Sequence, residues 1–162
     1  MKRSFTEEQK FTRWWLWIIL IGIGVLPIFP IFKQVSNEVE VASENSFGFA
    51  FIIFSVIIYG LIALFLVVKL KTEINQNEIR MSFFPFVKKQ VGWSEIKTAE
   101  VVNYGFVGGW GIRLGTAYGT VYNIKGNKGL AIELTNGKKF LIGTQKETEM
   151  KKMVEEIRSQ NS

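Results

Sequence analysis

Two uncharged apolar runs occupy most of the first 68 residues, and nothing else in the chain limits its fold as strongly. Trp14 to Phe32 reads WWLWIILIGIGVLPIFPIF and Phe47 to Val68 reads FGFAFIIFSVIIYGLIALFLVV, 19 and 22 residues without a charge. As helices they would measure roughly 28 and 33 Å, against about 30 Å for the hydrocarbon of a bilayer. The second holds sixteen Leu, Ile, Phe or Val residues, each favouring insertion by roughly 0.3 to 0.6 kcal/mol at mid-helix. A helix that is apolar on every side needs complete burial. The runs therefore read as a transmembrane hairpin, spans 14–32 and 47–68, with an outer loop over 33–46.

The flanking charges set its direction. Lys2, Arg3, Lys10 and Arg13 precede the first run, and Lys69 and Lys71 follow the second, while the loop carries Lys33 against Glu38, Glu40 and Glu44. The positive-inside bias predicts both termini in the cytoplasm, with 1–13 as a cytoplasmic segment, and so a multi-pass protein of the inner membrane. Trp14, Trp15 and Trp17 fit an interfacial aromatic belt, and with Lys69 and Lys71 they are the candidate membrane-surface contacts. Glu7 and Glu8, and the lack of a small-residue cleavage site, argue for a retained helix over a signal peptide. Pro27 and Pro30 fall near the far end, where unwinding costs least.

From Lys69 onward the pattern changes. The remaining residues, 69–162, carry fifteen Lys or Arg against nine Glu, so the whole net charge of +6 lies there. Period-two alternation predicts strands. Leu70, Thr72 and Ile74 line one, and Ile79, Met81 and Phe83 a second after the turn Asn75-Gln76-Asn77. Val91 and Trp93 alternate in a third, and 96–104 form a fourth. Segments 119–124, 128–134 and 138–143 complete seven. Lys125-Gly126-Asn127 and Asn136-Gly137 suit tight hairpins, because Gly and Asn tolerate positive φ. Thr144 and Glu147 form a capping-box pattern before Met150, Met153, Val154 and Ile157, the apolar stripe of a terminal helix.

Two N-terminal spans, the GWGIR run at 109–113, KGLAIELTNGKKFLIGTQ at 128–145 and the closing helix together resemble bacterial membrane proteins with a pleckstrin-homology-like domain. The resemblance is strongest from Gly109 to Ile157. It implies a cytoplasmic PH-like α+β domain over 69–162: a seven-stranded antiparallel bent sheet or partly open barrel capped by a C-terminal helix, without catalytic residues. Eukaryotic relatives often bind phosphoinositides through a basic first hairpin. Here that turn, Asn75-Gln76-Asn77, has no lysine or arginine at its tip.

The segment Tyr104 to Gly129 holds eight of the fifteen glycines. A dinucleotide fingerprint needs G-x-G-x-x-G between a strand and a helix. The spacing at Gly109, Gly111 and Gly115 is one residue too long, and β-branched residues follow it. A structural role in bulges and connections is the plainer reading. The functional alternative places Trp110, Arg113, Tyr118 and Tyr122 in a partner-binding surface, since aromatics and arginine are the usual anchors of interfaces. Lys88-Lys89 and Lys138-Lys139 read as solvated residues flanking turns.

Cysteine, histidine and aspartate are all absent. Thiolate nucleophiles, disulfides and Cys-based zinc sites are excluded, and the commonest general base is missing. Glu95, Glu100 and Glu133 are the remaining candidate bases, with no nucleophile–base–orienter set visible around them. The expected function is a non-catalytic, membrane-tethered binding or assembly module, with no cofactor and no metal. Its expected partners are membrane lipids and a protein, not nucleic acid, and self-association fits as well. The alternatives are an accessory subunit of a membrane transport or secretion complex and, less in keeping with the composition, a membrane-surface enzyme.

Overall fold

The computed structural model describes residues 4–26 and 45–160, with side chains from Ile52 onward in the second segment. In chain order it contains β1 (Phe5–Lys10), α1 (Trp14–Val25), α2 (Asn45–Val67), β2 (Lys69–Ile74), β3 (Glu78–Phe84), β4 (Val87–Gly92), a 3-10 turn (Trp93–Glu95), β5 (Ile96–Asn103), β6 (Gly111–Thr116), β7 (Gly119–Asn123), β8 (Lys128–Leu134), β9 (Lys139–Gly143) and α3 (Glu147–Gln160). Two compact units result: residues 12–67, and residues 1–11 with 68–162.

In the first unit α1 packs on α2. Gly24 allows the approach, since a Cβ there would stand 3.1 Å from Ile62 Cδ1, and the Tyr59 hydroxyl donates to the Gly24 carbonyl at 3.0 Å. Trp14, Ile18, Ile21, Val56, Ile57 and Leu66 lie exposed on these helices. Among the described residues no helix is long and apolar enough to cross a membrane. The 12 residues of α1 measure about 18 Å, short of a bilayer core. This finding overturns the expected transmembrane hairpin and, with it, the membrane classification and the multi-pass inner-membrane placement. The described helix α1 stops at Val25, two residues before Pro27, a residue that cannot donate a helical hydrogen bond. Pro27, Pro30 and residues 33–44 of the expected loop lie outside the described residues.

The second unit also departs from expectation: in place of one seven-stranded bent sheet there are two sheets, of four and five strands. β2 to β5 and β7 to β9 occupy segments at or near those marked by alternation; β1 and β6 are additional. The first sheet runs β1-β2-β3-β4, all antiparallel. The second runs β5-β8-β9-β7-β6, with β7 parallel to β9. β1 precedes the helical unit and pairs with β2, which follows it, so that Lys10 faces Lys69. The helices are thus an insertion in the connection of a β-hairpin.

Leu70, Ile74, Ile79, Met81, Phe83 and Val91 form the inner face of the first sheet. Leu130, Ile132, Phe140 and Ile142 are buried from the second, as are Met150, Val154 and Ile157 of α3, which packs on β5, β8 and β1. The expected capping box is differently built. Thr144 Oγ1 accepts from the Lys146 amide, but Glu147 pairs with Lys128 instead of reaching back. The returning carboxylate is Glu7 of β1, which accepts from Thr144 Oγ1 at 2.5 Å and from the Gln145 amide at 2.7 Å. Gln9 on the same strand donates to the Gly143 carbonyl at 2.8 Å.

Candidate docking groove

The glycine-rich segment folds back over the outer face of the second sheet. Tyr104, Val121 and Leu141 form a buried cluster there, with Val102, Val107, Tyr118 and Ala131 packed against it. This explains why β9 is buried along consecutive residues: it is covered on both faces. A polar knot ties the lobe down. Asn123 donates to the Tyr104 hydroxyl at 3.0 Å, and that hydroxyl donates to the Gly126 carbonyl at 3.1 Å. Burial pushes the Tyr104 phenol above its ordinary pKa, and the Asn123 hydrogen bond works against that shift.

The four residues considered as a partner-binding surface are distributed through this lobe in different roles. Tyr122 is 4% exposed and belongs to the interior, where its ring meets Phe83 at 6.5 Å between centroids. Tyr118 is half-buried in the cover. Arg113 Nη2 donates to the Trp110 carbonyl at 2.8 Å, while its Nε is buried without a hydrogen-bond partner. The guanidinium therefore braces its own loop. Phe106 and Leu114, which the sequence reading did not single out, are the most exposed apolar residues of the lobe.

The remaining charged candidates have local partners. Lys69 pairs with Glu8 at 3.2 Å and Lys71 with Glu73 at 2.6 Å, and Glu73 holds the Lys71 ammonium above its ordinary pKa. On the helical unit Trp14 and Trp15 are exposed and Trp17 is half-buried. Glu95 accepts from the Gly92 amide and so closes the 3-10 turn. Glu133 bridges Lys97 at 2.9 Å and Lys139 at 3.2 Å, and these two ammonium groups hold its carboxyl below its ordinary pKa. Lys89 is not a solvated turn residue. It points inward from β4, with Nζ 4.6 Å from the Phe140 ring centroid and 5.5 Å from that of Tyr122.

Sheet edges separate the possible docking surfaces. Native edge strands are guarded by charges, inward-pointing lysines or bulges. β1 carries Glu8 and Lys10 on its exposed side, β4 has the inward Lys89, and β6 is interrupted by a register shift between Arg113 and Thr116. β5 is guarded differently. Among the described residues it pairs only with β8, and its other side opens on a groove of about 470 Å³ against α3. Ala99, Glu100 and Val101 form the strand wall, and Lys151, Val154, Glu155 and Arg158 form the helix wall. Arg158 Nη1 donates to the Ala99 carbonyl at 3.3 Å, so that carbonyl faces the groove. Alternate residues of an antiparallel strand direct their backbone groups to the same side, which puts the Val101 amide there too.

The groove offers hydrogen-bonding backbone, a short apolar floor at Ala99 and Val154, and two charges of each sign. Glu100 is the only one of the three candidate bases among its lining residues. Such a surface can add a strand; it presents no nucleophile for chemistry. Its lining residues cannot be picked out from the sequence, because the pairing of β5 with β8 on one side is not readable from alternation. Comparison with known proteins found no family model, no curated protein and no solved structure that matches this chain.

Proposed function

We propose that the β domain is a non-catalytic docking module that takes an extended segment of a protein partner along β5. The observation that carries this reading is the unpaired side of β5 opening on the groove against α3. An added strand would gain main-chain hydrogen bonds from β5, and the α3 wall would select among its side chains. The other candidate bases support a non-catalytic role, since Glu95 and Glu133 are occupied by a turn amide and by two lysines.

The test is selection of a displayed library of random eight-residue peptides on the full-length protein, repeated with Val101→Pro. Proline is tolerated on an edge strand where the lost amide faces outward, so circular dichroism should show an unchanged fold. Wild type should enrich a family of extended peptides, and the variant should bind them at least tenfold more weakly. Failure to enrich any peptide, or equal binding by a folded variant, would remove this function.

A further inference from the structure

We infer that Glu100 is the selecting charge of the β5 edge and takes a lysine or arginine of the docked segment, a reading that rests on the docking function proposed above. Glu100 stands midway along β5, is exposed, and lines the groove. Its partner across the paired side is Ala131 of β8, which offers no charge. Lysines of the surrounding strands and helix are engaged elsewhere: Lys97 and Lys139 with Glu133, and Lys151 with Glu155. Glu100 itself takes part in no ion pair among the described residues.

Docking changes the surroundings of this carboxylate. In the free protein Glu100 has a strand on one side, β8. An antiparallel segment added to β5 sets one residue directly opposite it, on the same face, with Cβ atoms about 5 Å apart. The carboxylate then lies between two strands and gives up part of its hydration, which costs free energy unless a cation accompanies it. A lysine or arginine opposite supplies that cation, whereas an acid there adds like-charge repulsion. The flanking β5 residues on the same face, Thr98 and Val102, are uncharged. The requirement therefore falls on a single position. The favoured segment carries one basic residue opposite Glu100 and uncharged residues beside Thr98 and Val102.

The eight-residue peptide library separates this selection from docking itself, using the full-length wild type, Glu100→Gln and Glu100→Lys. Glu100 is exposed, so neither change should affect folding. Wild type should enrich peptides with a Lys or Arg at one fixed position. Replacing that residue by Gln should weaken binding about fivefold, the upper range of a cross-strand ion pair, and raising the salt should erode the difference. Glu100→Gln should bind the Lys and Gln forms within about twofold of each other. Glu100→Lys should reverse the order and bind the Glu form best, a reversal that general damage to the groove cannot produce. Peptides that bind wild type without a fixed basic residue, or a basic preference that persists in both variants, would overturn the selection while leaving docking intact. Failure of all three proteins to enrich any peptide would remove the docking function and the selection together.

Discussion

Gly119 shows how single positions hold the second sheet together. It has φ +75°, and a Cβ built on it would stand 2.1 Å from the Lys139 carbonyl oxygen, where β7 begins to run beside β9. Backbone cannot yield as a flexible side chain would. Gly119→Ala should therefore combine left-handed strain with a steric conflict and destabilise by about 3 kcal/mol or more in urea unfolding. Gly115 is the control: φ is +69° but no heavy atom lies within 4 Å of the built Cβ. Its alanine variant should cost only about 1 kcal/mol. Equal losses at the two sites would show that conformation, not close approach, decides. The density of glycine between 104 and 129 was visible in the sequence, but which glycine is sterically required was not, because the conflict at Gly119 is with a residue twenty positions away.

Among elements, β1 and α3 depend on each other. Residues near opposite ends of the chain meet where Glu7, 5% exposed, accepts hydrogen bonds from Thr144 and Gln145. Loss of the carboxylate leaves buried donors unmet. Glu7→Ala should cost about 2 kcal/mol, and Glu7→Gln less, since an amide oxygen still accepts. Hydrogen exchange should locate the loosening at both β1 and the first turn of α3; a loss confined to β1 would show that the helix start is capped without it. The same contact explains why β1 was illegible in the sequence. Its inward positions are Phe5, Glu7 and Gln9, so the apolar alternation that marks other strands is absent. β6 escaped for a related reason: Gly-Ile-Arg-Leu-Gly-Thr lies at an edge and carries little buried apolar surface.

For the whole molecule, the insertion of 12–67 into a β-hairpin has a direct consequence. Lys10 and Lys69 are paired neighbours, so the helical unit leaves and re-enters the β domain at adjacent strand ends. Replacing 12–67 by Asn-Gly, the preferred two-residue hairpin turn, should close β1 onto β2 directly. The shortened protein should unfold cooperatively, and the shorter connection should raise its stability by up to about 2 kcal/mol. It should also keep the peptide-binding behaviour of the β5 groove. A molten or aggregated product would mean that the β domain needs the helices to fold. Strand positions from β2 onward were legible largely because alternation and turn residues are local signals; the division into two sheets and the parallel β7–β9 pair were not.

The amino-acid sequence alone determined what short-range physics can encode: uncharged runs that become helices, period-two faces that become strands, asparagine and glycine at turns, and the stripe that buries α3. It also excluded chemistry that needs histidine, cysteine or aspartate. Only the tertiary structure decided the recruitment of a polar N-terminal segment as β1 and the inward placement of Tyr122 and Lys89. It alone left β5 with one open side and Arg158 across it. These outcomes depend on which distant groups satisfy a buried carboxylate or an unpaired edge, and no local pattern carries that information.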